Sequence, residues 1–571
     1  MQRHRAKRTF LAGLSCFPTP ITLALPLPSA EPILARQTSH ASASIFNPGR
    51  LPFILSLPHP RRKLGPKGTP AHRCVHLYPI SHCTESIQLA YIKPSCSAHQ
   101  KIHTHMVHTL PEDVLATIFS FADNPLSNRH TLLSLTHVCS WWRQVAVTHS
   151  ILWSMITLFH PLSESCIMRT RLFLQRSAQT PLTIRLDFRD PNWDWGASYD
   201  SNNKSRSHRV GWQESELVLQ LFLEHVSRWR EMVILTDTWS PIFTFLWYME
   251  GAGVQSEPRQ LERLELVRCN AYFSRPNQRF APENLKTPKR LFGRWPLPSL
   301  RHVALSATHI MWAPPPFKNL VSLEIKAMAS DVQPTLDEFR RMIHASPTLQ
   351  TFAIAGSVAS LDTADKTLLE KMSREEPILF PSLIRFSLEV SSVAYSIALL
   401  SIFHFPKLEI LHLEDIRPLL FEGQQVSFDS IDLLLHSLSE NPHQFSFPRI
   451  HTLGLTNIHA SSSTMTRFLS SIPSMQSFSL KGGSTGCIAA LQDTNICPSL
   501  QRFECSQVDP AALLPIAKVR KRARIVLHIL REDDTDPPLG DSMTQGLTCA
   551  GVEVLEKVLS VGDFMFMEAD D

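Results

Sequence analysis

The chain has no uninterrupted apolar run approaching the roughly 18 residues that cross a bilayer, which excludes a simple membrane-spanning helix. No H-E-x-x-H, Walker-type loop or C-x-x-C pair occurs, so the commonest signatures of zinc hydrolysis, nucleotide binding and thiol redox chemistry are missing. Its 11 cysteines follow no regular spacing. That is the pattern of reduced thiols in packed positions, and it favours the cytoplasm and/or nucleus. Acids are nearly absent from residues 1–100, where Glu31 and Glu85 stand against twelve Lys and Arg. The remainder holds 44 bases against 49 acids, so it lacks the basic footprint that neutralises phosphates, and nucleic acid is not an expected partner.

What is there is uneven. The first hundred residues carry 13 of the 42 prolines and show no sustained periodicity, so residues 1–105 are read as a disordered Pro/basic-rich extension. Its opening, MQRHRAKRTFLAGLSCF, is basic and then apolar. Two readings stay open: a targeting segment, or an extension without function ahead of Met106. Cys74, His76, Cys83, Cys96, His99 and His103 lack the paired spacing of a structural zinc site, so no metal is assigned, and no cofactor either.

Order is expected from LPEDVLATIFSFADNP. Pro111 suits a first helical position, and Glu112 and Asp113 put negative charge at the positive end of the dipole. Val114, Leu115, Ile118, Phe119 and Ala122 read as one apolar face. A second helix is expected at Thr131 to Leu135, and a third with the stripe Val138, Trp142, Val145 and Ala146. The stretch VCSWWRQVAVTHSILW spends three of the chain's 11 tryptophans in sixteen residues. Three short helices cannot enclose that much flat apolar area, which implies that another body covers one face.

These residues resemble the F-box: the Leu110-Pro111 opening with its following apolar pairs, the Val138-Cys139-x-x-Trp142-Arg143 core and the closing Leu152-Trp153 fall in the family's order. The resemblance implies a three-helix motif at 106–158 that docks on a Skp1-type adaptor and, through it, a cullin, bringing a protein substrate to a ubiquitin ligase. It assigns Leu110, Pro111, Val114, Leu115, Ile118, Val138, Trp142 and Trp153 to the motif's core and interface. The segments CIMRTRLFLQRSAQTPLTIRLDF and ELVLQLFLEHVSRWREMVI resemble the region that follows in fungal F-box proteins, where a helix closing in Arg-Ser precedes a Pro-Leu strand and a second helix carries Arg-Trp. Here these are Arg176, Ser177, Pro181, Leu182, Arg228 and Trp229. Residues 159–245 are read as a helix/strand linker region that may already hold repeat units. The polar stretch between the two segments contains the formal glycosylation triplet Asn203-Lys204-Ser205, discounted on the thiol count.

From about 246 to 530 a motif recurs, P-x-[L/I/M]-x-x-[L/V/F]-x-[L/I/C]. Its first apolar residue is Leu300, Leu349, Leu383, Leu408, Ile450, Met475 or Leu500, with looser copies at Leu261 and Leu320. Each proline ends a helix and opens a strand; the later apolar residues, two apart, share an inward face. The region resembles a degenerate leucine-rich-repeat solenoid. The fold class expected is therefore α+β multidomain, a three-helix F-box followed by an α/β leucine-rich-repeat-like solenoid. Outward strand positions such as Arg301, His302, Gln350, Glu409, His412, His451, Gln501 and Arg502 would meet the target. Residues 531–571 are read as a mostly flexible acidic tail with VEVLEKVL as a last helix, and KVRKRAR (518–524) as a solvated helix face or a nuclear-import patch.

Three functions stay open: substrate receptor of a Skp1–cullin–F-box ligase, non-ligase scaffold, and serine hydrolase. The hydrolase reading rests on Gly482-Gly483-Ser484-Thr485-Gly486, which fits G-x-S-x-G, although a glycine turn between repeats explains it as well. The first is preferred, with no catalytic residue of its own.

Overall fold

The computed structural model describes residues 110–122, 131–190, 210–251, 256–269, 278–293, 295–361, 377–421, 428–440, 447–483, 485–531 and 539–558. The N-terminal extension with its cysteines and histidines, and the Asn203 triplet, lie outside the described residues. Among the described residues three helices come first, α1 (Glu112–Ala122), α2 (Thr131–Leu135) and α3 (Ser140–Thr148), closed by a 3-10 turn at Ser150–Trp153.

A strand begins two residues later, and strands then alternate with helices and loops to Val558. They are β1 (Met155–Phe159), β2 (Leu182–Asp187), β3 (Trp229–Thr236), β4 (Arg263–Arg268), β5 (His302–Ser306), β6 (Ser322–Lys326), β7 (Thr351–Ala355), β8 (Ile378–Leu379), β9 (Arg385–Val390), β10 (Phe403–His404), β11 (Ile410–Asp415), β12 (Thr452–Thr456), β13 (Ser477–Lys481), β14 (Arg502–Ser506), β15 (Arg524–Arg531) and β16 (Val552–Val558). β8 and β10 form a small ladder of their own. The other fourteen make one sheet in chain order, and every adjacent pair is parallel. Parallel neighbours need a crossover, supplied by α4 (Glu164–Arg176), α5 (Trp212–Leu223), α6 (Trp239–Glu250) and, further on, by helices such as Leu336–His344, Val393–Ser401 and Ser462–Ser470.

Each of the nine positions read as a repeat start is buried, and each is followed within three residues by a strand. The alternation then sets the two faces. In β11, Leu411 and Leu413 point into the core while His412 between them is exposed. Because the register is kept from strand to strand, Leu264, Val303, Leu323, Phe352, Phe386, Leu411, Leu453, Phe478 and Phe503 form one continuous buried row. The sheet runs beyond the interval in which the motif recurs, since β1 to β3 precede residue 246 and β16 follows 530.

One backbone device repeats. The residue after β5, β6, β7, β12, β13 and β14 has positive φ: Ala307, Ala327, Gly356, Asn457, Gly482 and Gln507. For Ala307, Ala327, Asn457 and Gly482, its N–H donates to the last strand residue of the next repeat, for example Asn457 to the Lys481 carbonyl at 2.8 Å, and Gly356 donates to Glu389, the last but one of β9. The left-handed turn thus ends one strand and ties it to its neighbour.

Three expectations are corrected. VEVLEKVL is not a helix: Val552–Val558 is β16, paired with β15, and the helix of this region is the preceding Asp541–Cys549. Val552 and Val554 alternate and are β-branched, so a period of two prevails over the helical spacing. KVRKRAR is not one helix face, because the helix Leu513–Val519 ends inside it and β15 starts at Arg524. Arg520 between them is buried, its guanidinium donating to the carbonyls of Leu491, Asp493, Ile496 and Cys497. Arg228-Trp229 sits on no helix: Arg228 ends a 3-10 turn and Trp229 opens β3.

A buried histidine makes the fold acid-sensitive. His309 is 2% exposed, stacked on Trp239 at 4.8 Å, with Nε2 2.8 Å from the Lys286 carbonyl, and burial pushes its pKa down to about 4. In the unfolded chain the imidazole returns to about 6.5. The folded value is depressed, so its stabilisation is complete above that pH and is lost as pH falls toward 4. Between pH 7 and 5 the loss from this group is about 2 kcal/mol. Urea midpoints of wild type and His309→Phe, measured at both pH values, should show a shallower pH dependence in the variant; parallel slopes would contradict this account.

Candidate docking face on the N-terminal helices

Helix α1 carries two apolar stripes where the sequence suggested one. Leu115, Ala116 and Phe119 face inward and pack with Leu132, Val145, Ala146, Leu152 and Trp153 into a core separate from that of the sheet. Val114, Ile118 and Phe121, spaced i, i+4 and i+7, lie on the other side, 44%, 48% and 86% exposed. A helix of a closed domain has no reason to place a second apolar row in water. Eight of the seventeen exposed large apolar side chains among the described residues fall between Val114 and Met168, which concentrates the unsatisfied surface here.

The sequence-derived residues divide accordingly. Leu115 and Trp153 are buried, Val114, Ile118, Val138 and Pro111 are exposed, and Leu110 and Trp142 are half-buried. Trp142 packs on Phe119 with ring centroids 5.0 Å apart, so it joins the small core to the outside. Val138 is not on α3, which starts at Ser140; it stands in the turn before it and is 58% exposed. Phe121 was missed from the sequence, though its place seven residues after Val114 was the available signal.

Local chemistry holds this arrangement. Cys139 is the N-cap of α3, its Sγ accepting the Trp142 N–H at 3.4 Å. At the other end of α3, His149 Nδ1 lies 2.8 Å from the Val145 carbonyl and Nε2 3.4 Å from Asp113 of α1. Replacing Cys139 by alanine should cost about 1 kcal/mol of stability in this domain and replacing it by serine almost nothing, because serine caps equally well. Thermal melts of the two variants check this; equal losses would show that the sulfur's packing, not its cap, matters.

The helices are fastened directly to the first repeats. Trp153 donates Nε1–H to the Ala146 carbonyl at 2.7 Å, meets Phe173 of α4 edge-on at 4.9 Å and is covered by the Arg176 guanidinium at 4.3 Å. Ser150 Oγ and Thr180 Oγ1 are 2.7 Å apart. Arg228, buried before β3, donates to Ser177 Oγ at 2.7 Å and to the Thr180 carbonyl. So the Arg-Ser, Pro-Leu and Arg-Trp pairs meet at one joint.

Residues 107–158 match the F-box-like family model. The match spans the three helices, the 3-10 turn and the start of β1, a small part of the 571 residues. No curated protein matches the chain. An F-box-like domain is an adaptor-type module.

The rival site is the G-x-S-x-G turn. Gly482 and Gly483 have φ of +66° and +102°, and a Cβ on them would crowd Asn457 Oδ1 and the Ile458 carbonyl; one on Gly486 would reach 2.7 Å from the Ala460 carbonyl. These glycines are required by the left-handed turn and by close packing between repeats. Ser484 itself lies outside the described residues. Among the described residues no helix is long and apolar enough to cross a membrane, and no group of His, Cys, Asp and Glu is disposed to hold a metal.

Proposed function

We propose that the chain is the substrate-recognition subunit of a Skp1–cullin–F-box ubiquitin ligase. Residues 106–158 dock a Skp1-type adaptor, and the strand region from about 246 to 530, a leucine-rich-repeat-like solenoid, binds the target protein. The chain itself is non-catalytic, since the adaptor and cullin bring the ubiquitin chemistry. The observation that carries the reading is the uncovered stripe Val114, Ile118 and Phe121 on a helix matched by the F-box-like family model. Leu110, Pro111, Val114, Ile118 and Val138 then contact the adaptor, Leu115 and Trp153 hold the domain's core, and Trp142 braces one against the other. The solenoid reading is supported by parallel strands in strict chain order.

Co-expression with a Skp1-type adaptor tests it. Co-purification as a stable complex is expected, with a cullin recruited through the adaptor. A folded chain that captures no adaptor overturns the proposal, and a complex that recruits no cullin reduces it to a scaffold.

A further inference from the structure

The sheet ends on β16, and among the described residues no strand pairs with its outer edge. All seven residues of β16 pair with β15 without a bulge, and the strand contains no proline. The strand at the opposite end, β1, has five residues and begins one residue after the 3-10 turn. A long, regular edge presents a row of unpaired N–H and C=O groups, on which a further strand can be laid. Leu555, in the middle of this edge, is 43% exposed.

The sequence of the strand, Val-Glu-Val-Leu-Glu-Lys-Val, matches itself when read backwards. Laid antiparallel against a second copy and centred on Leu555, it has a partner at every position. Leu555 meets Leu555, Glu553 stands opposite Lys557, and Val552 opposite Val558. The two-fold axis repeats each pair, so this one register sets two opposite-charge pairs on either side of an apolar centre. It also continues each face of the sheet from one copy into the other. A slip of one residue joins opposite faces, and in one direction sets Glu553 against Glu556.

The Glu553 carboxylate has room for a second cation. Arg524 Nε and Nη2 both donate to its Oε2, at 2.9 and 2.7 Å, and Oε1 accepts no hydrogen bond among the described residues. The neighbours in register on β15, Val526, His528 and Leu530, bring no further carboxylate or guanidinium to the row of Glu553, Leu555 and Lys557. Glu556, exposed on the other face, comes opposite Val554 of the second copy. Its own copy then lies at the diagonal, about 7 to 8 Å away, a like charge that weakens the pairing.

We propose that the outer edge of β16 pairs antiparallel with β16 of a second copy of this chain, centred on Leu555, so that one sheet runs through a two-fold dimer. The inference stands apart from the ligase reading. One edge strand buries far less than the roughly 2,000 Å² of obligate dimers, so the dimer forms reversibly with concentration.

Sedimentation velocity of the full chain over a range of concentrations tests it, and the sedimenting mass should rise from that of the monomer to twice that value. Glu553→Lys and Lys557→Glu each set like charges opposite one another twice in the dimer, and each should weaken it roughly tenfold. The double variant restores opposite charges and should recover most of that loss. Leu555→Lys puts two lysines at the axis and should abolish dimerisation at the same concentrations, with the thermal melt unchanged because the side chain is exposed. Amide exchange across Val552–Val558 should slow as the concentration of wild type rises. A monomer at every concentration overturns the proposal, and β16 amides equally protected throughout would then give the edge to another segment of the same chain. A dimer indifferent to both single reversals is made elsewhere, and a double variant no better than the singles is paired in another register; either result also overturns the proposal.

Discussion

Replacing Val114 and Ile118 together by aspartate should abolish capture of a Skp1-type adaptor, a loss of at least about 100-fold, while changing the stability of the chain by no more than about 0.5 kcal/mol. The two effects separate because both side chains are nearly half exposed and belong to the outward row of α1, not to the core below it. An aspartate there meets water in the free chain. In the complex it would be pressed against apolar surface without a partner, at a cost of several kcal/mol. The inward neighbour is the control: Leu115→Asp puts the same charge among Phe119, Leu132 and Trp153 and should unfold the domain outright. Capture assays and thermal melts on the same preparations distinguish the outcomes. Undiminished capture by a folded Val114→Asp/Ile118→Asp variant would remove α1 from the interface.

Trp153→Ala should be the most damaging single truncation in the N-terminal helices, at about 3 to 5 kcal/mol. The side chain is fully buried, donates its one hydrogen bond to Ala146, contacts Phe173 edge-on and carries the Arg176 guanidinium on its face. Its loss leaves a cavity and an unpaired carbonyl at the joint between α3 and α4. A chain built of successive units need not unfold as one, so the informative measurement is local. Amide hydrogen exchange should speed up across Ser140–Thr148 and Glu164–Arg176, while the strands from β11 onward keep their protection. Trp153→Phe should fall between wild type and alanine, since it restores packing without the donor. Unchanged protection of α3 in the alanine variant would show that the helices are held by something other than this residue.

The strand positions were legible because two independent signals coincide at each: a proline that cannot continue a helix, and apolar residues two apart. Leu408 with Leu411 and Leu413 shows it most plainly. β1, β3, β15 and β16 lack that combined signature, whereas β2 shows it in Pro181 followed by Leu182, Ile184 and Leu186, so the sheet is longer than the repeats suggested. At Val552–Val558 both periods fit the pattern, and pairing with β15 decided between them. On α1 the sequence showed which residues are apolar but not that the helix has two sides to satisfy; Val114 and Leu115 are adjacent in the chain and a hundred degrees apart on the helix, and only packing against Leu132 and Val145 says which turns inward. The joint of Arg228 with Ser177 and Thr180 was out of reach, because about fifty residues of chain separate its halves.

That joint leaves no slack between helices and sheet: Val226–Arg228 runs directly into β3, and one residue separates the 3-10 turn Ser150–Trp153 from β1. Under the proposed ligase reading, a target bound by the strands would therefore be held at a set bearing from an adaptor on α1, as a tool is held by a stiff arm rather than on a tether. Which of its lysines came within reach of a transferring enzyme would then be decided by angle, and a short glycine-serine insertion after Ser154 should broaden that choice without loosening either grip.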